Sequence, residues 1–178
     1  MIPILVLTSA YLTGAPVQLQ VESSLSVAKS EWRGDVGGLS ALKIGLTPNE
    51  WLGIYFLGRL GLASVDERML TLVTFGAQVW PAGRGEIAPY LRLAIAHQHE
   101  ETLSVVANEP AGALFGIGDG IRHRGGFEGG VGLDLTIWEG EGFSAYGTLG
   151  AQLAWFYDPR GPQVYAGGGA GLGLAYDL

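Results

Sequence analysis

The chain has 178 residues, 48% of them apolar, with thirty Gly, eight Pro, no Cys and a formal charge of −7 from ten basic and seventeen acidic side chains. That length suits one domain, and the missing Cys excludes disulfide staples. An acidic balance without a basic stripe argues against a nucleic-acid partner, and no run of about eighteen apolar residues follows the start, so a membrane role has to come from strands.

Residues 1–16, MIPILVLTSAYLTGAP, combine an apolar run through Leu7 with small residues at Ala10 and Ala15, and they lack a charged start. They read as a signal-peptide remnant or a short amino-terminal segment, and Pro16 disfavours cleavage after Ala15. Turn signals and period-2 apolar runs divide residues 17–178 into eight strands, near 17–27, 38–46, 51–63, 69–80, 87–99, 126–138, 143–157 and 164–178. Most exceed the five or six residues usual in a globular strand and match the roughly 9–11 needed to span a membrane. The connectors alternate. TPNE, PAGRGE and EGEG are short turns, whereas AKSEWRGDVG, SVDER, residues 100–125 and DPRGPQ form a more varied set. Short turns on one rim and longer loops on the other, with an even strand count, fit an all-β, eight-stranded antiparallel up-and-down transmembrane barrel.

Each strand has an apolar face: Leu19, Val21, Leu25 and Val27 in the first; Leu42, Ile44 and Leu46 in the second; Leu52, Ile54, Phe56, Leu60 and Leu62 in the third. The fourth strand is ambiguous, with apolar residues on both parities. In the fifth the face is Ile87, Leu91, Leu93 and Ile95, and in the sixth Phe127, Val131, Leu133, Leu135 and Ile137. Glu22, Lys43, Arg59, Arg92, Glu128 and Asp134 all fall on the opposite parity, as do Gln18, Gln20, Gln78 and Gln152. A charge facing lipid near the midplane costs about 2–4 kcal/mol for Arg or Lys, so the apolar face is expected outward and these six ions inward. Eight strands enclose room only for side chains, which predicts a plugged lumen with a network of paired ions.

Gly at 129, 130, 132, 167, 168, 169, 171 and 173 suits a narrow curved wall and leaves space for Tyr90 or Tyr146 inside. Phe127, Phe143, Trp155 and Tyr176 sit outward near strand ends, where an interfacial girdle belongs. Trp51, Trp80 and Trp138 fall on inward parity next to the short turns, which calls for frayed ends, a bulge or a shifted boundary. In the last strand, VYAGGGAGLGLAYDL, every second residue back from Leu178 is apolar or small. A soluble barrel of the lipocalin type, carrying a small apolar ligand, uses the same alternation with the greasy face inward. The long strands and the apolar final strand favour the membrane version.

With LGLAYDL at the end, alternating strands such as GGVGLDLTIW and WLGIYFLGRLGL, and inward charges, residues 17–178 resemble the OmpA-type eight-stranded outer-membrane barrels. The usual final Phe of that family is replaced by Leu178. The resemblance implies a bacterial outer-membrane location and a membrane-insertion signal at Leu172, Leu174, Tyr176 and Leu178. As partners it implies outer-membrane lipids and lipopolysaccharide, with the barrel-assembly machinery during insertion; it names no extracellular ligand. Members serve as anchors, adhesins, stress-related surface proteins or narrow pores, so the fold leaves the role open.

Little in the sequence points to chemistry, and no cofactor is expected. HQHEE ends the fifth strand with His97, His99, Glu100 and Glu101, and His123 precedes the sixth, so His97, His99, Glu101 and His123 could meet at the rim. Ordinary solvation explains a polar rim better, no tight metal-ligand motif is present, and no metal is expected. Barrel deacylases acting on lipid A pair a His with a Ser two residues away; here His97-Gln98-His99 runs on with no Ser, and Ser104 is the next hydroxyl. Without a nucleophile and base pair the expectation is a non-enzymatic protein. Gly116, Gly118 and Gly120 lack the spacing of a phosphate-binding loop.

Overall fold

The computed structural model describes residues 17–30, 36–64, 67–159 and 163–178. Eight strands, β1 (Gln18–Ser30), β2 (Val36–Asn49), β3 (Leu52–Ala63), β4 (Arg68–Val79), β5 (Ile87–Thr102), β6 (Arg122–Gly140), β7 (Phe143–Phe156) and β8 (Gln163–Asp177), pair antiparallel in chain order and close into a barrel. The seam is β1 against β8, running from Gln18 opposite Asp177 to Ser30 opposite Tyr165. Closure satisfies the backbone donors and acceptors of both end strands, which an open sheet would leave bare. Segment 1–16 lies outside the described residues. Among the described residues no helix is long and apolar enough to cross a membrane, so any crossing is made by the strands.

The pleat puts the oily side on the outer surface. Leu25 is 70% exposed and Leu93 75%, and Ile44, Phe56, Phe75, Val131, Leu149 and Leu172 are exposed likewise. Contiguous apolar surface of this extent is rare on soluble monomers. The orientation is opposite to that of a lipocalin, whose greasy face lines the cavity. β4 resolves as outward Phe75 and Val79 with inward Leu70, Leu72, Thr74 and Gln78. Its ambiguity arose because its inward side is itself partly apolar.

Local chemistry fixes the short-turn rim. Asn49 closes the β2–β3 turn by accepting from the backbone N–H groups of Trp51 (2.9 Å) and Leu52 (3.0 Å). Gly142 carries φ of +69° in the β6–β7 turn, a conformation that favours Gly. The three Trp of uncertain facing separate cleanly. Trp80 stays inside at 1% exposure, while the register of β6 against β7 shifts between Thr136 and Trp138. That irregularity turns Trp138 outward to 52% exposure, with its ring 5.7 Å from Phe143. Trp51 is half-buried in its turn.

At the other rim the strands run longer than the sequence pattern predicts. β5 continues to Thr102 and β6 begins at Arg122, so the connection expected over 100–125 is shorter and is not a plain loop. It holds two short helices, α1 (Leu103–Asn108) and α2 (Pro110–Phe115), the second opening on Pro and capped by Gly116. The Leu103 N–H donates to the Glu67 carbonyl at 3.0 Å, tying α1 to the β3–β4 turn.

The outward apolar face predicts a depth-dependent penalty for charge. Leu91→Arg, midway along the apolar stretch of β5, should lower stability in lipid vesicles by about 2–4 kcal/mol. Glu86→Arg, in the exposed β4–β5 turn, should leave it within about 0.5 kcal/mol. The midpoint of denaturant unfolding, followed by the gel shift between folded and boiled protein, reads both.

Candidate functional site

The barrel interior is stacked in layers, and inward parity decides which residue enters which layer. From the short-turn end upward, β5 contributes Tyr90, Arg92, Ala94, Ala96, Gln98 and Glu100, an order of ionic, apolar and again ionic groups. β6 contributes Asp134 and Glu128 to the lower ionic levels and Arg124 to the upper one, with only Gly126 on its inward face between Glu128 and Arg124.

The lower layer holds Glu22, Lys43, Gln78, Arg92 and Asp134. Lys43, directly across the ladder from Glu22, forms an ion pair with it. Arg92 reaches the same carboxylate from β5, on the far side of the barrel, at 3.3 Å. Gln78 links the set. Its carbonyl accepts from Arg92 Nε at 2.6 Å, and its amide donates to Asp134 at 3.0 Å. Asp134 also accepts from the Trp80 indole at 2.9 Å, which places a Trp in the lumen as a hydrogen-bond donor. The Arg92 guanidinium lies 4.4 Å from the Tyr90 ring centre and 5.6 Å from that of Tyr55. Gly provides the room, because a Cβ at Gly132 or Gly150 would collide with Tyr90 and one at Gly173 with Tyr146.

Above this layer Arg59 and Glu128 form a two-pronged pair across the barrel, with Arg59 Nη2 2.9 Å from Glu128 Oε1 and 2.8 Å from Gln152 Oε1. The gap between the two ionic groups is a cavity of only about 40 Å³, lined by Glu22, Arg59, Tyr90, Arg92 and Glu128 among others. A separate cavity of about 200 Å³ lies at the short-turn rim beside Gln18, Asn49, Arg84 and Tyr146. Next comes a dry plug of Ala28, Leu39, Ala63, Leu70, Leu72, Ala96, Ala154, Phe156 and Tyr165. Water and ions would have to pass an apolar constriction there, which the ionic lumen read from the sequence did not include.

A third layer closes the long-loop end and was missed by sequence reasoning. Glu100 is gripped by Arg68 and Arg124 and lies 3.1 Å from Arg122. Arg124 also donates to Asp158 at 2.8 Å and to Gln98 at 3.1 Å. Burial alone would raise the Glu100 carboxyl, but the hydrogen bonds and charge of Arg124 and Arg68 hold it below the usual carboxylate range. The missing signal was strand length. With β5 carried to 102 and β6 begun at 122, the same alternation puts Gln98, Glu100 and Arg124 inside.

The opposite parity of these extensions carries His97, His99, Glu101 and His123 on the outer side of the β5–β6 hairpin, beyond the apolar stretch that ends at Ile95 and Phe127. His99 faces His123 across the ladder, and His97 faces Gly125. The ring centres lie 4.7 Å apart for His97 and His99, 4.7 Å for His99 and His123, and 5.5 Å for His97 and His123. Burial and the neighbouring imidazoles hold His97 and His99 below the ordinary His range, which favours their neutral form. Glu101 is buried at 2% exposure, and burial beside the Glu100 charge pushes its carboxyl up to about 7. It stands apart from the three imidazoles, whose ligand nitrogens group without it. Ser104 lies in α1, with its hydroxyl 2.9 Å from that of Thr102. Leu114, Phe115 and Ile117 remain exposed around the end of α2.

No protein-family model and no curated protein matches the chain. Solved structures do. Neisserial surface protein A superposes with a TM-score of 0.60 at 12% identity, covering 91% of this chain and 97% of that one. Ail, the attachment invasion locus protein of Yersinia pestis, determined with the heparin analogue sucrose octasulfate, gives 0.53 at 13% identity over 91% and 99%. The outer membrane protein OprG from Pseudomonas aeruginosa gives 0.50 at 10% identity over 92% and 96%. The fold is that of the small outer-membrane barrels. At these identities fold is what the likeness carries.

The Arg59–Glu128 pair yields a clear test. Arg59→Met leaves a buried carboxylate without its cation and should cost about 3–5 kcal/mol, whereas the double variant Arg59→Met, Glu128→Met should recover most of that loss. Denaturant midpoints of the two variants and the parent, all refolded in the same vesicles, measure the difference.

Proposed function

We propose that the chain is an integral protein of a bacterial outer membrane, a closed barrel without enzymatic activity that presents its β5–β6 hairpin and helices α1 and α2 at the cell surface as an interaction element. The single observation that carries this reading is the pairing of an apolar outer wall with a lumen filled by cross-barrel ion pairs and a dry plug. The wall suits hydrocarbon, and the filled lumen leaves little to conduct. Short turns at one rim and the extended hairpin at the other fit the usual arrangement, in which the longer connections face outward from the cell.

Lipids and lipopolysaccharide are then the partners of the wall. The outward row Leu172, Leu174 and Tyr176 on β8, with Leu178 just beyond it, is the element an assembly machine would read during insertion. The absence of a Ser after His97 in the HQH segment, and the placement of Ser104 in a helix beyond the strand, support a surface or structural role over lipid hydrolysis.

Fractionation and electrophysiology test the reading together. The protein should sediment with outer membranes, require detergent for extraction, and migrate faster on a gel before boiling than after. In planar bilayers it should give no large stable channel. Recovery in aqueous buffer without detergent would overturn the membrane placement, and sustained high conductance would overturn the sealed lumen.

A further inference from the structure

All three His of the protein meet at one place, and the meeting is built by the hairpin rather than by a flexible loop. We propose that His97, His99 and His123 form a binding site for one divalent transition-metal ion of the zinc class, on the outer side of the β5–β6 hairpin just beyond the apolar wall.

The ladder sets the geometry. His99 and His123 are cross-strand partners, and His97 lies two residues along the same face, so the pleat aims all three imidazoles to one side. One ligand nitrogen from each ring lies within 4.8 Å of the other two. His97 Nε2 and His123 Nδ1 are 3.3 Å apart. Two nitrogens each about 2.0–2.1 Å from a tetrahedral ion are themselves about 3.3 Å apart, so this pair already has the spacing of co-ligands, and the third ring has a nitrogen within 4.8 Å of both. Gly125, opposite His97, contributes no side chain, and a Cβ built there meets nothing within 4 Å. The space that an ion and its free coordination position would occupy is therefore open.

A second observation points to a ligand independently of this spacing. His99 is only 9% exposed, and its Nδ1 is buried with no hydrogen-bond partner. Gly116, at the end of α2, sits against that ring so closely that a Cβ there would overlap it. An imidazole enclosed in this way with an unsatisfied nitrogen costs about 1–3 kcal/mol unless something completes its bonding. Coordination by the cluster does so, and the neutral imidazoles have the lone pairs it needs.

The donor set selects the metal class. Three imidazoles and no carboxylate favour zinc, copper or nickel over magnesium, calcium or manganese, which take oxygen ligands. Three protein ligands leave a fourth position for water. The bound ion would clasp β5 to β6 beyond the membrane and, through His99 beneath Gly116, stiffen the seat of α2.

The test uses the full chain without an affinity tag, refolded in detergent micelles, stripped with chelator and titrated with zinc chloride by calorimetry. One ion per chain at micromolar affinity or tighter is expected, and cobalt at the same site should give the intense visible bands of a low-coordinate nitrogen-ligated ion. His97→Ala and His123→Ala, both at exposed positions, should each weaken zinc binding by more than about a hundredfold, beyond what loss of an outer-shell partner costs. Asp119→Asn and Glu109→Gln, acids of the same connection, should leave it unchanged. The gel shift on boiling verifies that each variant is folded. Failure of the folded parent to bind zinc, or binding that persists in both His variants, overturns the proposal.

Discussion

Hydrocarbon tolerates no unpaired charge, and this one constraint organises the molecule. Because the outer wall must be apolar, every ionic side chain within the spanning part of a strand is forced to the other parity. Once inside, it sits in a space too narrow for bulk water and is held by a counter-ion or, as at Asp134, by neutral hydrogen-bond donors. Lys43 finds Glu22 next door, while Arg92 finds the same carboxylate from across the barrel, and Arg59 meets Glu128 likewise. The cross-barrel contacts brace opposite walls, with Gln78 accepting from Arg92 and Gln152 from Arg59, while Asp134 is held by the Gln78 amide and the Trp80 indole. Gly132 in β6 and Gly173 in β8 answer the same crowding, since Tyr90 and Tyr146 fill the room their missing side chains leave, whereas at Gly167, Gly169 and Gly171 a Cβ would run into the β1 strand.

How much of this was legible in the sequence depended on whether the two faces of a strand differed. In β1, β2, β3, β5 and β6 one parity was oily and the other was not, so facing could be read directly, Glu22 and Arg92 included. β4 defeated that logic because Leu70 and Leu72 belong to the internal plug, and a sequence pattern cannot distinguish an apolar residue that meets lipid from one that meets other side chains. Trp138 is a different case: its inward parity beside a short turn called for frayed ends, a bulge or a shifted boundary, and the register irregularity between Thr136 and Trp138 changes the parity within the strand.

The long-loop rim was the least legible part. HQHEE and RHRGG read as polar ends because their alternation sets one polar residue against another, Gln98 and Glu100 inside, His97 and His99 outside. Hydrophobic contrast therefore vanishes at the point where the strands leave the membrane, although the pleat continues. The same stretch accordingly builds two unlike arrangements back to back. Glu100 is held ionised among arginines in the mouth, and its neighbour Glu101, on the outer side, is shifted the other way. The helices α1 and α2 were hidden because each is a single short segment, with too few turns to show a periodic face.

The seam has a consequence for biogenesis. Gln18 bonds to Asp177 across a separation of 159 residues, and the whole of β1 lies against β8. Until the last strand has been synthesised, the first has only one neighbour, and no partial ring is both water-compatible and lipid-compatible. The cylinder therefore closes only once every strand is present and the two ends are brought side by side.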